Sequence, residues 1–153
     1  MSTLQVDNPE SNTWVNNKTS LSSRAKASGV SVGDFFFLAG GVNDSIVFGD
    51  FWRYSLQYNE WEKLDSIPFE PRFDMIAFEA NGRAYFGLGQ DTTEFYNDLW
   101  SYDIISQKWN RLDDFPGSAR TYTCALKTLI GAMIACGNND QGAVLDEVYM
   151  EFV

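Results

Sequence analysis

Three arginines, Arg24, Arg72 and Arg120, are separated by steps of 48 residues, and other residue types keep the same step. Gly41, Gly89 and Gly137 share it, as do Asp50, Asp98 and Asp146. Across two units it is kept by Trp52 and Trp100, Tyr54 and Tyr102, Trp61 and Trp109, and Pro68 and Pro116. Trp14 lies 47 residues before Trp61, so one residue has been gained or lost between Trp14 and Arg24. Six residue types held in phase without a gap imply three structurally equivalent units. A period of about 20–50 residues means that each unit is one supersecondary element stacked on its copies. On this reading residues 1–153 form a single domain. It has a partial leading unit (1–23), two full units (24–71 and 72–119) and a last unit (120–153) without its outer strand.

Each unit reads as four short strands. In the second, residues 73–80 form the innermost strand. Asn81-Gly82 supplies a turn whose two central residues need positive φ. Residues 83–89 return, a polar loop covers 90–96, and residues 98–103 alternate as a strand presenting Trp100 and Tyr102 on one face. Residues 108–112 form the outer strand, and Phe115-Pro116-Gly117 crosses to the next unit. No window of about 11 residues carries a helical period. The expected class is therefore all-β.

These landmarks resemble the kelch motif, in which a glycine pair closes the second strand and a Tyr and a Trp follow at fixed distance. Gly40-Gly41 matches the pair in full; Leu88-Gly89 and Cys136-Gly137 keep only the second glycine. Tyr54 with Trp61 and Tyr102 with Trp109 match the aromatic pair. The last unit departs, with Val148 and Met150 where the others have Trp and Tyr. The resemblance implies four-stranded antiparallel blades of a kelch-type β-propeller, about three per chain, forming a partial ring. With no histidine, the chain lacks the Gly-His signature of WD40 repeats. It also lacks the ligands of the copper site in galactose oxidase, which shares the kelch fold.

Propellers close with about 4–8 wedge-shaped blades, so three units form an open arc. Residues 4–14 resemble a degenerate third strand, a turn and an outer strand, and the Trp14 strand could complete the last unit. Either two chains pair head to tail as a homodimeric ring of about six blades, or the chain is a segment of a longer propeller. Open edges and bare sheet faces would otherwise be an aggregation liability.

A net charge of −10, from 21 acidic and 11 basic residues, argues against nucleic acid, which needs clustered Lys and Arg. It argues equally against an anionic membrane surface. No apolar run approaches the roughly 20 residues of a membrane helix, and residues 1–7, with no basic or apolar stretch, are not expected to act as a secretory signal. The expected location is cytoplasmic if the chain is complete, and is left open if it is a segment. Asn17-Lys18-Thr19 and Asn43-Asp44-Ser45 fit the glycosylation pattern, as chance matches in an Asn-rich chain. Cys124 and Cys136 are too few for a disulfide framework or a structural zinc. They are expected on opposite faces of the sheet as buried thiols.

Absent histidine also removes Ser-His-Asp and Cys-His catalysis. No catalytic residue, metal site or cofactor is assigned. Asp50, Asp98 and Asp146 recur in every unit, so they read as architecture bonding their own backbone at a loop-to-strand junction. Arg24, Arg72 and Arg120 also recur. They read either as guanidinium groups bonded to carbonyls of the neighbouring unit, or as a ring near the central channel able to fork onto a carboxylate or phosphate. The loops between second and third strands (42–48, 90–96 and 138–144) differ among units, and loops carry function on rigid scaffolds. Asn43, Asp44, Phe48, Asp91, Tyr96, Asn139 and Asp140 are the candidate contacts there, with the three arginines. Phe48 and Tyr96 align with Ala143 or Val144. The expected function is a non-catalytic scaffold binding a protein, a peptide or a small ligand. The alternative is part of a carbohydrate-binding or carbohydrate-active propeller using acidic loop residues.

Overall fold

The computed structural model of the chain describes residues 3–8, 13–129 and 131–152. Among these residues there are strands and no helix. Strands β3 (Ser28–Val32), β4 (Phe35–Ala39), β5 (Phe51–Ser55) and β6 (Glu60–Leu64) form one antiparallel sheet in chain order. Strands β7 (Ile76–Ala80), β8 (Arg83–Gly87), β9 (Leu99–Asp103) and β10 (Lys108–Arg111) form a second in the same order. The registers are copies: Val30 faces Phe37 as Phe78 faces Tyr85, and Tyr54 faces Trp61 as Tyr102 faces Trp109. The β7–β8 turn has φ of 49° at Asn81 and 73° at Gly82, as its sequence requires.

Before the two full units, β1 (Thr3–Asn8) and β2 (Thr13–Lys18) pair with Asp7 opposite Trp14. That is the register of a third strand and an outer strand, displaced by the one residue noted between Trp14 and Arg24. After them, β12 (Cys124–Thr128), β13 (Gly131–Ala135) and β15 (Val148–Phe152) make a three-stranded sheet. Two short strands, β11 (Arg120–Thr121) and β14 (Asn138–Asn139), pair beside it. The Trp14 strand does not complete this last sheet. It pairs with β1, and β15 has no outer neighbour among the described residues.

Two apolar seams hold the sheets face to face. Phe37 and Phe51 of the first unit meet Ala84, Phe86 and Tyr102 of the second. The Phe51 ring lies 4.8 Å from Tyr102 and 4.9 Å from Trp109, separations typical of favourable aromatic pairs. On the second seam Ile76, Phe78 and Leu99 pack on Ala132 and Ile134 of the third unit. An exposed ion pair, Lys127 to Glu79, crosses from β12 to β7 beside it.

From Arg24 onward the 48-residue step breaks once. Phe48 N and Tyr96 N donate to the carbonyls of Gly41 and Gly89, but Leu145 N makes that bond to Gly137. The last loop is therefore one residue longer. Everything after it shifts: Val148 takes the place of Phe51 and Leu99, and Tyr149 that of Trp52 and Trp100. The alignment of Asp146 with Asp50 and Asp98 is fortuitous, as is the apparent replacement of Trp and Tyr by Val and Met.

Cys124 and Cys136 do lie on opposite faces, since Cys124 pairs with Ala135. Both are exposed rather than buried. For Cys124 the reason is the uncovered face of the third sheet, which it shares with Leu126. Phe78 is 3% exposed on the second sheet, while Leu126, one repeat later, is 61% exposed. Leu99 at 2% corresponds likewise to Val148 at 60%. Burial at these positions comes from the following unit, and no described residue supplies it for the third. Phe78→Ala should therefore destabilise the fold by about 3–5 kcal/mol. Leu126→Ala should cost under about 0.5 kcal/mol. Urea titration of the two variants checks this; equal losses would show that the third face is covered.

Candidate functional site

The loops between second and third strands are pinned at both ends. Each begins with a bridge to the segment leading into the inner strand: Val42 to Ala25, Gln90 to Phe73, Asn138 to Thr121. Each then closes on itself through Val42 with Val47, Gln90 with Phe95, and Asn138 with Val144. Loops and lead-in segments thus gather at one end of the sheets.

The three arginines lock this end. Arg24 Nη2 donates to Asp50 Oδ2 at 2.8 Å, and its Nη1 donates to Asp50 Oδ1 and to the Gly40 carbonyl. Arg72 repeats the pattern on Asp98 and the Leu88 carbonyl, with Nε donating to the Glu70 backbone carbonyl at 3.0 Å. Arg120 repeats it on Glu147 at 2.7 Å and on the Cys136 carbonyl. Asp146 is not the partner, because the longer loop moves Glu147 into that place. The indoles of Trp52 and Trp100 donate to the same carboxylates at 2.7 Å. Tyr149 stands where those indoles stand, its ring 5.6 Å from the Arg120 guanidinium. Each guanidinium also lies over rings: Arg24 is 3.8 Å above Phe48, Arg72 is 3.7 Å above Tyr96, and Arg120 is 4.8 Å from Phe115.

The carbonyl acceptors belong to the arginine's own unit and the crossing before it, not to a neighbour. The aspartates bind arginine, beyond the backbone bonding expected of them. Burial works to raise the Asp50 carboxyl, but Arg24 and Trp52 outweigh it and hold it below the usual range. All three nitrogens of the Arg72 guanidinium are engaged and its side chain is 1% exposed. These arginines do not present a fork to an outside anion.

The loop candidates divide sharply. Asn43 Oδ1 accepts from the backbone of Ser45 and Ile46. Asp91 Oδ1 does so from Thr93 and Glu94, and Asn139 Oδ1 from Gln141 and Ala143. The three are one repeat apart and act as loop-closing Asx caps. Phe48 is buried beneath Arg24, and Tyr96 is half-buried with its hydroxyl donating to Asp91 Oδ2 at 2.7 Å. Asp44 and Asp140 stand exposed at the loop tips, beside exposed Ile46 and Val144. A groove of about 550 Å³ runs past Ile46, Phe48, Ser66, Phe69 and Pro71. A second, of about 460 Å³, is lined by Ser23, Arg24, Lys26, Asn43 and Asp44.

Sequence reasoning misses one cluster. Lys26, Asp74 and Tyr122 occupy the same place in three units, two residues after each arginine. Lys26 Nζ lies 3.0 Å from Asp74 Oδ2 and donates to Tyr122 Oη at 3.1 Å. All three have left-handed backbone, with φ of 58°, 54° and 53°. The shared spacing after Arg24, Arg72 and Arg120 was a signal, but the unlike identities hid it. Tyr122 and Asp74 together raise the Lys26 ammonium above its ordinary range. Among the described residues, no group of three or more His, Cys, Asp or Glu is placed to hold a metal ion, and no helix is long and apolar enough to cross a membrane.

No family model matches the chain, and no curated protein does. The solved structure of YjhT is similar, with a TM-score of 0.79 over 92% of this chain and 53% of that one, at 18% sequence identity. The chain shares that fold and spans about half the length of the solved chain it matches.

Replacing Arg72 by Met should cost about 3–5 kcal/mol, because it leaves the mostly buried Asp98 carboxylate uncompensated. Arg53→Met, which breaks the exposed pair to Glu62, should cost about 0–1 kcal/mol. Chemical denaturation separates the two. A pH effect follows from Asp91. Burial pushes its carboxyl up, but bonds from Tyr96, Thr93 and Glu94 prevail and lower it from 3.8 to about 2. A carboxyl lower in the folded than the unfolded chain stabilises above its unfolded value, and that stability is lost as pH falls through its folded value. Wild type should lose more thermal stability between pH 4 and pH 2 than Asp91→Asn, whose amide still caps the loop as Asn43 does.

Proposed function

We propose that the chain is part of a kelch-type β-propeller and acts as a non-catalytic scaffold that binds a protein, a peptide or a small ligand through its loop end. The observation that carries this reading is the latch of arginine, carboxylate and aromatic ring. It is built three times from the same parts, while the loops it anchors differ in sequence. A rigid base bearing unlike loops is the usual arrangement of a recognition surface. Lead-in cations Arg24, Lys26, Arg72 and Arg120 are each paired with a carboxylate. The exposed tips Asp44, Glu94 and Asp140 are acidic, which favours a neutral or basic partner.

The three units are, on this proposal, an arc of a larger ring. Among the described residues, the bare face at Leu126 and Val148 and the free edge of β15 support it. Of the two routes to a ring, the β1–β2 register favours a longer propeller over two copies head to tail. In a two-copy ring, β1 of one chain and β15 of the other would claim the same third-strand position.

Two measurements test the proposal. Light scattering on the isolated chain should give a monomer, or ill-defined association through the bare face; a discrete dimer would favour the two-copy ring. Screening basic peptides and glycans should find a ligand whose binding falls at least tenfold in the Asp44→Lys, Asp140→Lys double variant, at unchanged thermal stability. Turnover of a bound glycan would overturn the non-catalytic reading.

A further inference from the structure

The positions of Lys26, Asp74 and Tyr122 repeat in conformation but not in chemistry. A left-handed φ is costly for a residue with a side chain and free of steric cost for glycine. The chain uses glycine nearby, at Gly41, Gly89 and Gly137, yet at this place it keeps an ammonium, a carboxylate and a phenol. The three meet at one point, although Lys26 and Tyr122 stand two units apart.

Their hydrogen-bonding capacity is incompletely used. Of the three N–H donors of Lys26, one faces Asp74 and one goes to Tyr122. The Tyr122 oxygen accepts from Lys26, so its own O–H points elsewhere, and the residue is 58% exposed. One ammonium N–H and one phenolic O–H therefore stand side by side, their heavy atoms 3.1 Å apart. Two adjacent donors of this kind suit the two oxygens of one carboxylate. Lys26 and exposed Asp44 both line the 460 Å³ groove, and Tyr122 adjoins it through its contact with Lys26. Asp44 repels a bare anion and attracts a cation.

We propose that a small zwitterion, a free amino acid, binds where this groove meets the Lys26–Tyr122 pair. Its carboxylate accepts from Lys26 and Tyr122, and its ammonium faces Asp44. The Asp74 carboxylate positions Lys26 from beneath. The site deepens the scaffold reading, on which it rests, by giving the loop end a small-molecule pocket.

Titration of the isotope-labelled chain with glycine and L-alanine, with acetate and ethylamine as half-ligands, tests it by amide chemical shifts. The amino acids should saturate shifts at residues 25–26, 43–44 and 122–123, and acetate should bind at least about tenfold more weakly. Tyr122→Phe, which removes one exposed oxygen, should weaken glycine about fivefold. Asp44→Asn should narrow the gap between glycine and acetate. No saturable shift, equal affinity for glycine and acetate, or indifference to Tyr122→Phe would each overturn the site. If Lys26→Met fails to fold, the Tyr122 and Asp44 variants still decide. A peptide or glycan partner lost on changing the loop tips, with no response to amino acids, would overturn this site and leave the scaffold reading intact. Amino-acid binding with no such partner would overturn the reading of the loops as a macromolecular surface.

Discussion

The pairing of one buried arginine with one carboxylate in each unit is the constraint on which the rest of the arrangement depends. Each guanidinium ties together four things: the segment leading into the inner strand, the end of the second strand, the start of the third, and an aromatic ring from the loop or crossing. A charge so deeply placed is costly unless its donors are answered. Here they are answered by a carboxylate and by carbonyls left free where the second strand ends. The same bonds that neutralise the charge set the loop's two ends at a fixed separation.

Apolar packing then sets how the units stand together. The sheet of β7 to β10 is covered on both faces, by Phe37 and Phe51 on one side and by Ala132 and Ile134 on the other. Among the described residues the third sheet is covered on one face only. Stability in such stacks is a sum of unit and nearest-neighbour terms. The middle unit is accordingly the most protected, and opening is expected to start at β15, where one strand edge and one face are bare.

Much of this was legible in the residues. Arg24, Arg72 and Arg120 announced the repeat by identity, and the registers of β3 to β10 followed from it. The end of the chain was less legible, for local reasons. One extra loop residue moved Glu147 into the arginine's reach, yet Asp146 kept the numerical phase and so concealed the shift. The exposure of Cys124 and Leu126 depends on a neighbouring unit, which no local pattern reports. Asn43, Asp91 and Asn139 repeat as strictly as the arginines, and that regularity marks them as caps instead of contacts. Lys26, Asp74 and Tyr122 went unnoticed for the opposite reason, since chemistry that differs between units leaves no periodic trace.

The longer third loop has a wider consequence. Its additional residue lies between two anchored points, and the latch still closes because the register is recovered by Leu145, which leaves Glu147 in the aspartate's place to meet Arg120. Length variation is thus absorbed locally, without disturbing the strands on either side. Such an architecture behaves like a set of sockets. Segments of different size can be exchanged between the anchors while the frame holds still, so binding preference can diversify at little risk to folding.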